Sequence, residues 1–254
     1  MTPSATHLVL IPSYNTGARL VATVAEALRC WQPVWVVIDG STDGSEQALL
    51  GMADRDPNLR VLWLPHNNGK GFAVRHGVCA AGAAGFTHVL TMDADGQHAA
   101  ASIVAMMTLA RARPEAMVLG VPIFDASAPR VRVIGRRLSN FWVDVETLWG
   151  GIGDSLFGLR VYPIAPLLAV FATTRWMRRF DFDPEAAVRL FWRGVPPINH
   201  PSPVRYFRPE QGGVSHFNYL RDNLLLTFMH ARLLAGLVVR LPALCTRRIR
   251  SWLR

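Results

Sequence analysis

Short apolar runs alternate with polar, glycine-marked loops and with segments of helical spacing along the first half of the chain. Residues 7–12 form the first run. SYNTG then supplies turn residues, and residues 19–31 place Leu20, Val24 and Leu28 on one helical face. Residues 34–38 and 60–64 repeat the run, closed by DGSTDGS and PHNNGKG, with helical segments over 46–53 and 72–84. The fourth run ends in HVLTMDADGQH, where Val89, Leu90 and Met92 read as buried in a strand whose end carries Asp93 and Asp95. A helix over 99–112 and a strand over 117–121 extend the series. Strands separated by helices predict an α/β fold with a mostly parallel sheet and helices on both faces.

The second half reads differently. Residues 125–137 turn to Pro and Arg, 136–148 have amphipathic helical spacing, and GGIGDSLFGLRVY is glycine-punctuated. RFDFDPEAAVRLFWRG carries Asp181, Asp183 and Glu185 into a helix predicted from Pro184. Residues 195–208, rich in proline, suit an edge strand or a covering loop. Residues 224–239 are apolar apart from Thr227, His230 and Arg232, and an arginine-rich tail follows. That run is short for a membrane span, so the expectation is an amphipathic segment lying on an anionic membrane surface. The chain then divides into a catalytic domain over 1–217 and a basic membrane-associated segment over 218–254.

Composition narrows the partners. With 254 residues and 50% hydrophobic content the chain can bury a real core, and a net charge of +9 suits an anionic membrane, a phosphorylated substrate or nucleic acid. Three cysteines without CxxC spacing argue against a disulfide framework or a zinc site. The absence of a signal-like start leads to the expectation of a cytoplasmic protein, peripheral on the inner face of the cell membrane.

The polar loops share the carboxyl edge of the predicted sheet, where open α/β folds bind ligands. Asp93 and Asp95, with Gln97, form an oxygen-only set suited to Mg²⁺ or Mn²⁺ that leaves positions for substrate phosphates; an ordinary turn is the competing reading. Pro12, Tyr14 and Asn15 offer backbone and side-chain contacts, and Asp39 can accept hydrogen bonds from a nucleobase or ribose. Asp43 reads as a helix cap. Lys70 and Arg75 face phosphate from a glycine loop at a helix start. Asp183 or Glu185 is the candidate general base, against a reading in which one caps the helix and another pairs with Arg189. His216 is a loop contact to substrate or backbone.

IPSYN, IDGSTDGS, NNGKGFAVRHG and MDADGQH, in this order, resemble the inverting family 2 glycosyltransferases with their nucleotide-diphospho-sugar (GT-A) fold. RVIGRRLSN, DSLFGLRVY, the later acidic helix and GGVSHF extend the resemblance to the dolichyl-phosphate mannosyltransferase and polyprenyl-phosphate sugar transferase subgroup, over about residues 7–223. The resemblance implies a nucleotide-sugar donor, a lipid-linked acceptor bearing a phosphate or hydroxyl, and no nucleic-acid partner. It implies that Asp39 binds the nucleoside, that Asp93, Asp95 and Gln97 hold metal and diphosphate, that Arg75 lies near the nucleotide phosphates, and that Arg136 and Arg160 face an anionic acceptor. Two positions depart from the pattern: Ile38 stands where an acid usually precedes Asp39, and Phe157 stands where a small hydroxyl residue usually precedes the glycine. Nucleotidyl transfer and a non-enzymatic membrane or nucleic-acid binder are the competing functions. The first lacks its glycine-rich loop after the first strand, and the second leaves Asp93 and Asp95 without a purpose.

Overall fold

A computed structural model describes residues 2–124, 130–205, 207 and 217–252. The first four strands are β1 (His7–Ser13), β2 (Val34–Asp39), β3 (Leu59–Leu64) and β4 (His88–Thr91), and the helices between them are α1 (Arg19–Cys30), α2 (Ser45–Ala53) and α3 (Lys70–Ala83). There follow α4 (Ala101–Ala112), β5 (Met117–Ile123), α5 (Arg130–Glu146), β6 (Arg160–Pro163), α6 (Ile164–Ala172), α7 (Phe182–Trp192), β7 (Pro197–Pro203) and α8 (Tyr219–Trp252). The expected elements through β5 form with ends shifted by a residue or two, as helix fraying and strand-edge pairing commonly shift them.

One seven-stranded sheet has the order β3-β2-β1-β4-β6-β5-β7. β1 pairs in parallel with β2 and β4, β2 with β3, and β5 with β7; β6 alone is reversed, antiparallel to both β4 and β5. The proline-rich segment forms edge strand β7, where a residue without an N–H is tolerated. Side chains alternate across the sheet. Leu8, Leu10, Trp35, Val37 and Val89 pack under α3, α6 and α7, while Val9, Ile11, Val34, Val36 and Leu90 pack under α1, α2 and α4.

Two elements escaped the periodicity. β6 is four residues long and opens with fully buried Arg160, so it carries no apolar alternation. α6 follows it directly. The helix expected from Pro184 starts two residues earlier, at Phe182.

α8 is a continuous helix, longer than the apolar run within it. Leu226, Met229 and Leu233 join the core, and the helices it packs on most are α5 and α7. Its residues Tyr219–Arg248 are long and apolar enough to cross a membrane by length and composition, the most apolar 18-residue stretch among them having mean hydropathy 1.7. The helix outruns the apolar run read from the sequence: 30 helical residues extend about 45 Å, against a hydrocarbon core of about 30 Å.

Candidate active site

β1, β2 and β4 end at the same edge of the sheet, so the loops leaving them meet there. Asn15 Oδ1 accepts the Thr42 N–H at 2.7 Å, and Asp43 Oδ2 accepts the Gly17 N–H at 2.8 Å, which ties the first loop to the second. Asp43 also accepts the N–H and hydroxyl of Ser45, the first residue of α2, although the cap position itself is taken by Gly44. Pro12 is buried at the end of β1 and Tyr14 is half-buried beside it.

Asp39 is 2% exposed, and both of its oxygens are engaged: Oδ1 accepts from Asn68 N at 2.9 Å and Oδ2 from Gly69 N at 2.8 Å. Burial pushes its carboxyl above the usual range, against the pull of the two amides. It shapes the turn before α3. Gly69 completes that turn at φ +99°, where a Cβ would lie 2.6 Å from the Arg178 carbonyl.

Lys70, the first residue of α3, is the centre of the site. Its Nζ lies 2.6 Å from Asp93 Oδ1 and 2.7 Å from Asp183 Oδ2. Burial would depress the ammonium, but Asp183 and Asp93 outweigh it and hold its pKa above the ordinary lysine value. Burial alone would raise Asp93; Lys70 reverses this and holds it low. The other oxygen of Asp93 lies 3.6 Å from His98 Nε2, while His98 Nδ1 accepts the Asp93 N–H at 3.2 Å. Burial lowers His98 to about 4, so the ring is neutral near pH 7 and the accepting Nδ1 puts its proton on Nε2, facing Asp93. Asp183 Oδ1 is buried with no hydrogen-bond partner among the described residues.

β6 closes the site. Thr91 is in register with Arg160, and the Thr91 hydroxyl donates to the Gly158 carbonyl at 3.1 Å. That brings Gly158 so close that a Cβ would lie 2.6 Å from both Asp93 Oδ2 and Lys70 Nζ. The Phe157 and His98 rings meet edge to face, with centroids 4.6 Å apart.

Other expected residues have other surroundings. Arg160 is fully buried and donates to the carbonyls of Phe157, Asp154 and Asp183 and to the Tyr162 hydroxyl, so it fixes the start of α7 rather than facing an acceptor. Arg136 pairs with Asp154 at 2.5 Å. Glu185 is fully buried between Arg189 at 2.7 Å and Arg232 at 2.8 Å, a structural pairing outside the Lys70 cluster. Arg75 is exposed, 5.7 Å over the Phe171 ring. His216 lies outside the described residues. His98, Gly158 and Asp154 were not singled out in the sequence. His98 had a signal in its place five residues after Asp93, whereas the Gly158 contact depends on β6.

Asp95 and Gln97 are half-buried beside Asp93; Asp95 Oδ1 accepts the Gln97 N–H, and the Gln97 backbone carbonyl accepts from Arg205 N. Among the described residues no three His, Cys, Asp or Glu side chains converge as a metal site. The pair still fits a hard divalent cation: it is oxygen-only and partly open, with the Asp93 side chain 32% exposed, and Mg²⁺ or Mn²⁺ commonly takes one or two carboxylates plus phosphates and water.

The chain is similar to several known proteins. A dolichyl-phosphate beta-glucosyltransferase of Trichomonas vaginalis is 27% identical over 199 residues, 70% of this chain and 59% of that protein. Another from Drosophila melanogaster is 34% identical over 108 residues, 37% of this chain and 32% of its own length. This chain thus spans about three fifths or less of these two relatives. Among solved structures, glucosyl-3-phosphoglycerate synthase from Mycobacterium tuberculosis, in complex with Mn²⁺, UDP-glucose and phosphoglyceric acid, aligns with a TM-score of 0.63 at 16% identity, over 93% of this chain and 80% of that one. Staphylococcus aureus TarS (residues 1–349) with UDP-GlcNAc aligns at 0.57 and 13% identity, over 92% and 72%. At such identity these two structures establish the shared GT-A fold. The family model described as Glycosyl transferase family 2 matches residues 8–182, from β1 to the start of α7, and so takes in Asp39, Lys70, Asp93 and Asp95: the chain is a glycosyltransferase and belongs to that family.

Proposed function

We propose that this glycosyltransferase moves a sugar, with inversion, from a nucleoside diphosphate donor to a polyprenyl phosphate held at the cytoplasmic face of a membrane. The observation that carries this reading is the Lys70 ammonium seated between Asp93 and Asp183 at the carboxyl edge of the sheet. A diphosphate leaving group develops negative charge, and a preorganised cation in a partly dry site stabilises it. The loops joined by Asn15, Asp43 and Asp39 frame the nucleoside, and Asp93 and Asp95 would hold Mg²⁺ or Mn²⁺. Bound there, the cation would neutralise diphosphate charge and orient the donor. The acceptor class is supported by the dolichyl-phosphate relatives. The membrane setting is supported by exposed Leu220, Leu224, Val238 and Val239 on α8.

A polyprenyl phosphate is already anionic and needs no general base, so Asp183 then serves to position Lys70. Its unpartnered Oδ1 favours a second reading, in which Asp183 takes a proton from an acceptor hydroxyl. Asp183→Asn separates the two. Loss of the acidic limb of the pH–rate profile with a fall in kcat of about 100-fold or more marks a base, whereas a smaller loss with an unchanged profile marks a positioning residue. The donor is identified by thermal stabilisation with a panel of UDP- and GDP-sugars, with and without Mn²⁺.

A further inference from the structure

Beside α8, on the helical layer over α3, lies a cavity of about 490 Å³ that is not lined by Lys70, Asp93 or Asp183. Arg75 of α3, Arg175 of the loop after α6, Arg189 of α7 and Arg232 of α8 line it, together with Phe171 and Trp176. Four guanidinium groups face two carboxylates, Glu185, which pairs with Arg189 and Arg232, and Asp181, whose field reaches Arg232. The balance of four cations against two anions leaves two positive charges. Asp181 is itself held by the backbone N–H groups of Met177 and Arg179.

Arg232 is the sharper sign. Its Nη2 donates to Glu185, but its Nε and Nη1 are buried with no hydrogen-bond partner among the described residues. Its guanidinium stands over the Trp176 ring at 4.6 Å and the Phe228 ring at 4.9 Å, which fixes its plane beside the cavity. Burial lowers its pKa despite Glu185, the mark of a desolvated cation short of negative charge. Buried donors without acceptors cost free energy that an oxyanion would recover, and planar guanidinium forks suit phosphate oxygens.

We propose that this cavity is a second anion site, separate from the catalytic cluster, which takes a phosphate monoester dianion. The dianion would match the two surplus charges and supply acceptors to Arg232. Two sources carry that chemistry: free phosphate, or the headgroup of a lipid such as phosphatidic acid, which α8 would bring within reach.

The test is calorimetric titration of the full chain with inorganic phosphate, beside flotation on phosphatidylcholine vesicles with or without phosphatidic acid. Saturable phosphate uptake assigns the free anion; flotation that requires phosphatidic acid, without uptake of soluble phosphate, assigns the headgroup. In either case Arg175→Glu, on an exposed loop, weakens binding at least tenfold, and Arg75→Gln weakens it independently. Arg113→Glu, a change at an exposed arginine outside the cavity, leaves it within twofold. Arg175→Glu and Arg75→Gln proteins that are folded by circular dichroism yet bind like the wild type would overturn the site. So would a wild-type protein that takes up neither phosphate nor phosphatidic-acid vesicles.

Discussion

At the scale of single residues, the site depends on contacts too close for substitution. Gly158→Ala would press a methyl group on Lys70 Nζ and Asp93 Oδ2, the movable ends of two side chains. The fold should survive and the pair should shift; since a displacement of about 1 Å can cost about 100-fold in rate, turnover should fall by that order with little change in Tm, measured on the same preparation. Glu185, an expected base, is bound by two arginines, so Glu185→Gln should lower Tm while turnover per folded molecule stays near wild type. Away from the site, His7 and His88 stack with centroids 4.3 Å apart at the opposite end of their strands. Burial and the neighbouring His88 lower His7 to about 4. The folded value lies below the unfolded one of 6.5, so this contribution is present above pH 6.5 and is lost as pH falls toward 4. For one such histidine the loss by pH 5 is about 2 kcal/mol, and His7→Asn should flatten the fall in Tm between pH 7 and pH 5.

Elements were legible where side-chain period and burial agree. β1, β2 and β4 are buried runs and β3 an apolar edge strand with Arg60 and Trp63 exposed, each closed by turn residues, and the motifs after them already pointed to one edge of the sheet. β6 was not legible, because its buried Arg160 breaks the apolar pattern, and the carbonyls of Phe157, Asp154 and Asp183 with the Tyr162 hydroxyl make that burial tolerable. For the same reason Arg160 read as a substrate contact when it is a strut. Asp39 read as a nucleoside contact; its oxygens also accept backbone amides from a loop some thirty residues away, which no local pattern reveals. α8 read as a surface segment, although Glu185 to Arg232 and Glu146 to His230 join it to α7 and α5 through buried acids. Removing one partner of a buried pair costs about 3 to 5 kcal/mol, so Glu185→Ala should lower stability by that order and make α8 more open to proteolysis, read by melting and by limited digestion.

For the whole molecule, one stripe of α8 is core while Leu220, Leu224, Val238 and Val239 on the same helix are exposed. Only 22% of its most apolar window is buried, which suits a helix seated on the protein with its outer face in the interface. Changing Leu224, Val238 and Val239 together to Ser should abolish flotation on anionic vesicles without lowering Tm; flotation that persists would place the membrane contact elsewhere. The central claim is transfer from a nucleotide sugar to a lipid phosphate by the cluster around Lys70. It is tested most directly by following labelled sugar from the stabilising UDP- or GDP-sugar into an organic-extractable polyprenyl-phosphate product, with Mn²⁺ present. The account predicts a labelled lipid from the wild type, and none from folded Lys70→Met or Asp95→Asn proteins. Full transfer by either variant, or a wild type that binds the donor yet labels no polyprenyl phosphate, would contradict it.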